Sequence, residues 1–367
     1  MRVAFLRRIS TRHLVLLCTG VVVSAIGVTA LAIAASSGGP TPPAKPLAVA
    51  LRDALRAPAP RGITARIKFT NHLIDSADIQ GSNPVLSGAT GRLWASSGGR
   101  LRIELQSERG DAQLVSDGKR FWLYDGSSST VYRGTLPQHR HRERAHRTPA
   151  LAQIQRAINR LGRWLSHSGA IPSDVAGKAT YTLRAAPRKN GGLLGGAAVA
   201  WDAARGVPLS LALYARGQSD PVLELQATDI SYGKVPASDF AVSPPSGVKT
   251  VDLTPHRTRA HAEKRSALGF KPVAPRSLAG RPRSEVKILR AGALVTYGRG
   301  LDGIAVLEER GGRLGRTQLP TVSIGAVKGQ ELETPLGTLI RFQRGGVTYT
   351  VVGSVTRLVA EAAARSL

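Results

Sequence analysis

From Ile63 onward the apolar residues recur with a period of two, and that period excludes a purely helical fold. Ile63, Ala65, Ile67 and Phe69 alternate with Thr64, Arg66, Lys68 and Thr70, giving a strand one apolar and one wet face. Leu93 and Ala95 alternate with Arg92 and Trp94, and Leu101, Ile103 and Leu105 with Arg100, Arg102 and Glu104. Gly98-Gly99, Arg109-Gly110, Asp117-Gly118 and Asp125-Gly126 punctuate these runs at hairpin spacing. No crossover helix fits between such neighbours, so the expected arrangement is an antiparallel meander. Strands are expected again at 179–185, 197–202, 209–215 and 222–232, with 202–206 as one turn. Pro244-Pro245 closes the unit, which at some 185 residues is long enough to bury one sizeable core.

Two helices accompany the strands. Leu47, Leu51 and Leu55 recur every four residues before Pro58 and Pro60 stop the pattern. Thr148-Pro149 is an N-cap and first-turn pair, and Leu151, Ile154, Ile158, Leu161 and Leu165 form one stripe of a helix to about Ser166.

The N-terminus decides where the chain works. Arg2, Arg7, Arg8, Arg12 and His13 form a basic head, followed by 22 residues, 14–35, without a charge. At about 1.5 Å per helical residue that run spans the roughly 30 Å hydrocarbon core of a bilayer. The cations hold the head in the cytoplasm, so the expected location is the cell membrane, single-pass, with the bulk outside. A cleaved signal has a shorter core, although Ala32-Ile33-Ala34 before Ala35 offers a cleavage site, and cleavage would make the protein secreted. Cys18, the sole cysteine, lies in the apolar run behind Leu17, so neither lipidation nor an intrachain disulfide is expected.

Residues 36–46 read as a Gly/Pro/Ser spacer. Residues 251–283, charged and without a period, read as a linker. A smaller unit, 284–367, follows, with strands at 293–297, 304–308, 337–343 and 347–352. Its closing helix, 354–367, is expected to bury Val355, Leu358, Val359 and Ala362.

The formal charge of +27 invites a nucleic-acid reading. Only 11 of the 51 cations are lysines, which points to arginine-favouring codon usage, and no aromatic platform interleaves the dispersed charge. Anionic lipid heads or wall polymers suit the location better than DNA or RNA. Chemistry-bearing motifs are sparse. His139, His141 and His146 fit neither one helical face nor a compact zinc hairpin, and their arginine neighbours repel a cation. There is no G-x-S-x-G elbow, and the glycine-rich run 190–196 lacks the Lys-Ser/Thr of a phosphate loop, so it reads as a flexible hairpin. No enzyme, metal or cofactor is expected.

Phe121-Trp-Leu-Tyr-Asp-Gly126 through Val131-Tyr132 resembles the LolA-like superfamily, whose members include a lipoprotein carrier and RseB-like sigma-factor regulators. So does Trp201-Asp-Ala-Ala-Arg-Gly-Val-Pro-Leu209 running into Leu213-Tyr-Ala-Arg216. Asp229-Ile-Ser-Tyr-Gly-Lys-Val-Pro236, ending at Phe240, Pro244-Pro245 and Gly247-Val248, is similar to the closing strand and its exit. The resemblance covers residues 47–250; the tail from Tyr297 resembles a small domain that accompanies membrane-anchored sporulation and anti-sigma-linked proteins.

The resemblance implies an α+β protein: an antiparallel half-open β-barrel covered by helices that shelters acyl chains or a peptide. To it are added a small α+β C-terminal domain and an N-terminal transmembrane helix. The implied role is a non-catalytic extracytoplasmic binding protein holding a lipid or lipoprotein acyl group. The alternative is a regulatory sensor that binds a membrane partner such as an anti-sigma factor. Ile67, Phe69, Leu93, Ile103, Leu105, Leu211 and Leu213 are the expected ligand-lining residues. Packing against the 148–166 helix as ordinary core is the competing account of the same seven.

Overall fold

The structure, a computed structural model, describes residues 39–73, 88–108, 110–136, 149–189, 191–253, 269–289, 292–311 and 319–367. Residues 14–35 and the histidine-rich 139–146 lie outside that range, as does the whole basic stretch 254–268. Among the described residues no helix is long and apolar enough to cross a membrane.

The period-two runs form one long curled sheet. In sequence it contains β1 (Gly62–Asn71), β2 (Ala89–Ser96), β3 (Leu101–Ser107), β4 (Gly110–Ser116), β5 (Arg120–Asp125) and β6 (Thr130–Thr135). Then come β7 (Leu165–His167), β8 (Ile171–Val175), β9 (Lys178–Pro187), β10 (Leu194–Asp202), β11 (Pro208–Ala215), β12 (Pro221–Tyr232) and β13 (Lys249–Asp252). The order is β13-β6-β5-β4-β3-β2-β1-β12-β11-β10-β9-β7, with β8 also on β9. Every pair is antiparallel except β13, which runs parallel to β6. It reaches that edge by a crossover that passes over the outer face, where Arg102 Nη1 donates to the Asp239 carbonyl at 2.8 Å. The architecture is mixed α+β, mostly sheet, in an open half-barrel.

Two helices lie on this sheet. The first, α1 (Leu47–Arg56), packs Leu47 and Ala50 against Tyr181, Val199 and Trp201. The second, α2 (Leu151–Leu161), is shorter than the stripe suggested. Ile154 is its buried residue, Ile158 is half-buried, and Leu161 is exposed. Gly162 ends the helix, and Leu165, expected on its stripe, instead begins β7. The spacer is not a free leash along its whole length. Pro43 accepts a 2.6 Å hydrogen bond from the Tyr181 hydroxyl, and Lys45 pairs with Asp53 at 2.7 Å.

A second sheet follows: β14 (Ser277–Leu278), β15 (Arg281–Leu289), β16 (Gly292–Tyr297), β17 (Ile304–Arg310), β18 (Thr321–Ile324), β19 (Val327–Thr334), β20 (Gly337–Arg344) and β21 (Val347–Gly353). Its order is β14-β15-β16-β17-β21-β20-β19-β18. The region read as a linker therefore ends in strand from Ser277, and β18 and β19 were not legible in the sequence. The closing helix α3 (Arg357–Arg365) starts later than expected and presents a partly different face: Val355, just before it, is buried and Val359 packs on the core as expected. The helix buries Ala360, Ala363 and Ala364, whereas Leu358 is 77% exposed and Ala362 is exposed too. Ion pairs set that face: Arg357 bonds both Glu331 (3.2 Å) and Glu361 (2.8 Å), and Arg365 grips Glu361 from the next turn.

Candidate functional site

The inner face of the large sheet is built by strand register. Ile67 lies opposite Gly91, which lies opposite Leu105; Ala65 lies opposite Leu93, opposite Ile103, opposite Leu114. Across β12 the same row continues from Phe69 to Leu225 and on to Leu211, and from Leu223 to Leu213. Because opposed residues in a ladder share a face, all seven residues singled out from the sequence stand on one continuous apolar surface. Gly91 is required within it: a Cβ there would fall 1.8 Å from the Glu104 carbonyl oxygen.

These seven are not equivalent. Ile67 and Ile103 are 4% and 7% exposed and belong to the main core with Ala65, Leu101, Ala227 and Ile230. Phe69, Leu93, Leu105, Leu211 and Leu213 are only half-buried, as are Leu114 and Leu225 beside them. Leu211 packs into the cluster beneath α1, together with Ile158 of α2. Phe69 and Leu213 belong to a rim cluster with Leu73, Val222 and Leu223. Thus Ile67 and Ile103 are buried within the sheet's core, and the other five are partly exposed on the same face. Leu114 and Leu225 carry the same signal, alternation on a strand, and belong to the same surface.

One rim residue comes from the second sheet. Leu336, in the β19–β20 turn, packs on the buried cluster of Leu73, Ala215, Val222 and Leu223, as Phe69 and Leu213 do. Beside it, the Leu193 N–H donates to Ser354 at both its carbonyl (3.1 Å) and its hydroxyl (3.0 Å), and the Ser354 hydroxyl donates to Leu336 O at 2.7 Å. The glycine-rich run read as a flexible hairpin is therefore a docking loop between the two sheets.

One polar pair stands at the end of this face, where Tyr232 lies opposite Ile63 and packs on the same core. Asp202 Oδ1 accepts the Ala204 and Arg205 N–H groups, and its Oδ2 accepts the Tyr232 hydroxyl at 2.7 Å. Burial and this bonded carboxylate hold the Tyr232 phenol far above its ordinary value. A separate concavity of about 460 Å³ lies beyond β9 and β10, lined by Ser166, His167, Arg184, Gly195, Gly196 and Tyr214 among others, and by none of the seven. In the second sheet Glu308 is wholly buried, with Oε2 accepting the Val273 N–H at 3.0 Å, and desolvation raises its pKa. It lies in a closed core, beside Tyr349 in register.

No family model matches the chain, and no curated protein matches it in sequence. Solved structures do. The chain is similar to MucB in complex with MucA(peri), at 18% identity and a TM-score of 0.42, over 86% of this chain and 94% of that one. The Pseudomonas aeruginosa MucA/MucB complex gives 19% identity, a TM-score of 0.39, and coverage of 86% and 95%. A LolA superfamily protein from Nitrosomonas europaea gives 12% identity and a TM-score of 0.22 over 54% of this chain and 99% of that one.

Proposed function

We propose that this protein is a non-catalytic, extracytoplasmic binding protein, held at the cell membrane by residues 14–35, that shelters a lipid or lipoprotein acyl group on the inner face of its half-barrel. One observation carries the reading. Phe69, Leu93, Leu105, Leu114, Leu211 and Leu225 form a contiguous apolar surface that stays partly exposed although α1 and α2 lie on the same sheet. A packed core closes over such side chains, whereas a binding groove leaves room beside them. An acyl chain laid there gains roughly 0.8 kcal/mol per buried methylene, so a few carbons give useful affinity without any polar anchor.

The full chain, extracted with its surrounding lipid rather than in detergent, is the material for the test. Native mass spectrometry should show an acylated molecule bound to it. An empty groove together with a retained transmembrane protein would favour the other reading, a regulatory sensor of a membrane partner such as an anti-sigma factor.

A further inference from the structure

We infer that the α2–β7 end of the large sheet docks on the surface of an anionic bilayer, making a second membrane contact besides the N-terminal span. The inference rests on the membrane-anchored reading above but not on what fills the groove. Leu161 and Trp164 protrude at this end, 56% and 71% exposed. An exposed tryptophan beside an exposed leucine suits the headgroup boundary, where an indole ring buries its apolar body and keeps its N–H wet.

The cations around them are positioned by the fold. The Arg188 backbone N–H donates to Trp164 O at 2.9 Å, and its Nε donates to Gly162 O at 2.8 Å. Arg156, Arg160 and Arg163 are exposed on the helix and the turn that follows it. From residue 149 to residue 189 the one carboxylate is Asp174, and it is buried. This surface therefore offers positive charge without internal neutralisation, complementary to anionic headgroups.

The chain enters on the same sheet edge as the patch, at the opposite end of β9. Gly39 lies against the Asp174 side chain, where a Cβ would fall 2.3 Å from Oδ2, and Pro43 is bonded to Tyr181 on β9. The same strand pairs with β7 through residues 185–187 and leads directly into Arg188. With the span ending at Ala35, the chain from there to Gly39 reaches at most about 14 Å. So short a tether keeps the Asp174 end of the β8–β9 edge near the bilayer, and β9 laid along that surface brings its other end, with Arg188 and Trp164, onto it.

Trp164 reports on the contact directly, because Trp201 is 4% exposed and Trp94 and Trp122 are half-buried. The full chain is reconstituted in nanodiscs containing acyl-brominated phosphatidylglycerol, and tryptophan quenching is measured. The expected result is quenching that is lost in W164F. It should also be lost in R160E/R163E, at high salt, and in discs of brominated phosphatidylcholine alone. Unquenched fluorescence in anchored wild-type chain overturns the inference, as does quenching that survives W164F or is equal in neutral discs. Binding to isolated wall polymer without lipid quenching also overturns it. A chain that fails to enter the discs refutes the anchored reading itself and the docking with it.

Discussion

Gly192 and Ser354 approach so closely that no side chain fits between them: a Cβ on Gly192 would lie 2.2 Å from the Ser354 carbonyl oxygen. Gly192 also holds a φ of +60°, a conformation glycine adopts freely and alanine does not. G192A is therefore expected to weaken the docking of the two sheets by about 1–3 kcal/mol. Hydrogen exchange of the Leu193 amide, which donates to Ser354, measures this. Faster exchange there with unchanged protection in β10 is the expected pattern.

The turn between β10 and β11 depends on Asp202. Its Oδ1 caps two backbone N–H groups and its Oδ2 takes the Tyr232 hydroxyl, while Arg205 stacks on the Tyr232 ring 4.6 Å from its centroid. Y232F keeps the ring contact and removes a hydrogen bond to a carboxylate, a loss of about 1.5–3 kcal/mol. Chemical denaturation of Y232F against wild type reads this, and an unchanged midpoint would contradict it.

Glu308 gives the second sheet a pH dependence of definite sign. Desolvation raises its pKa above the ordinary value, so the folded state binds a proton that the unfolded state releases. Its contribution is fully present below the ordinary carboxylate range and is lost as pH rises through the raised value. E308Q retains an oxygen for the Val273 N–H and cannot ionise. The wild-type stability should fall relative to E308Q by at most about 1.4 kcal/mol per pH unit across that window. Parallel melting curves of the two proteins at every pH would contradict the assignment.

Much of the large sheet was legible because its strands alternate cleanly and their turns are marked by Gly and Asp. What escaped the sequence has physical causes. Leu358 looked like a core position, but the Arg357–Glu361–Arg365 ladder and Glu331 roll α3 so that alanines face inward. The Leu165 end of the α2 stripe became β7 because residues 165–167 pair with 185–187, a partner twenty residues away that local spacing does not reveal. Gly192 and Leu336 acquire their roles only where two sheets meet. Of the seven candidate residues, strand alternation identified the shared face, but not which members a helix or a neighbouring strand would cover.

Arg100 and Arg102 show the same limit on the outer face. Arg100 is exposed, and R100E should leave stability nearly unchanged. Arg102 bonds Glu104, donates to Asp239 and stacks 4.8 Å above the Trp94 ring. R102E should therefore loosen the crossover to β13, and faster proteolysis between β12 and β13 is the expected readout.

The partly exposed apolar surface of the large sheet is tested most directly by a paired substitution. Placing a carboxylate at Ile67 or Ile103 strands it in dry core, which costs several kcal/mol and should unfold the sheet. Leu105 and Leu211 are only partly buried, so a carboxylate there keeps part of its hydration. I67E, I103E, L105E and L211E, each built in the chain from Gly39 onward, are compared by circular dichroism melting and fluorescent fatty-acid binding. The account predicts that the two isoleucine variants unfold, whereas the two leucine variants melt cooperatively near wild type and lose the fatty acid. If L105E and L211E unfold like I103E, or stay folded and bind fatty acid like wild type, the inner face is core and no acyl group is held there.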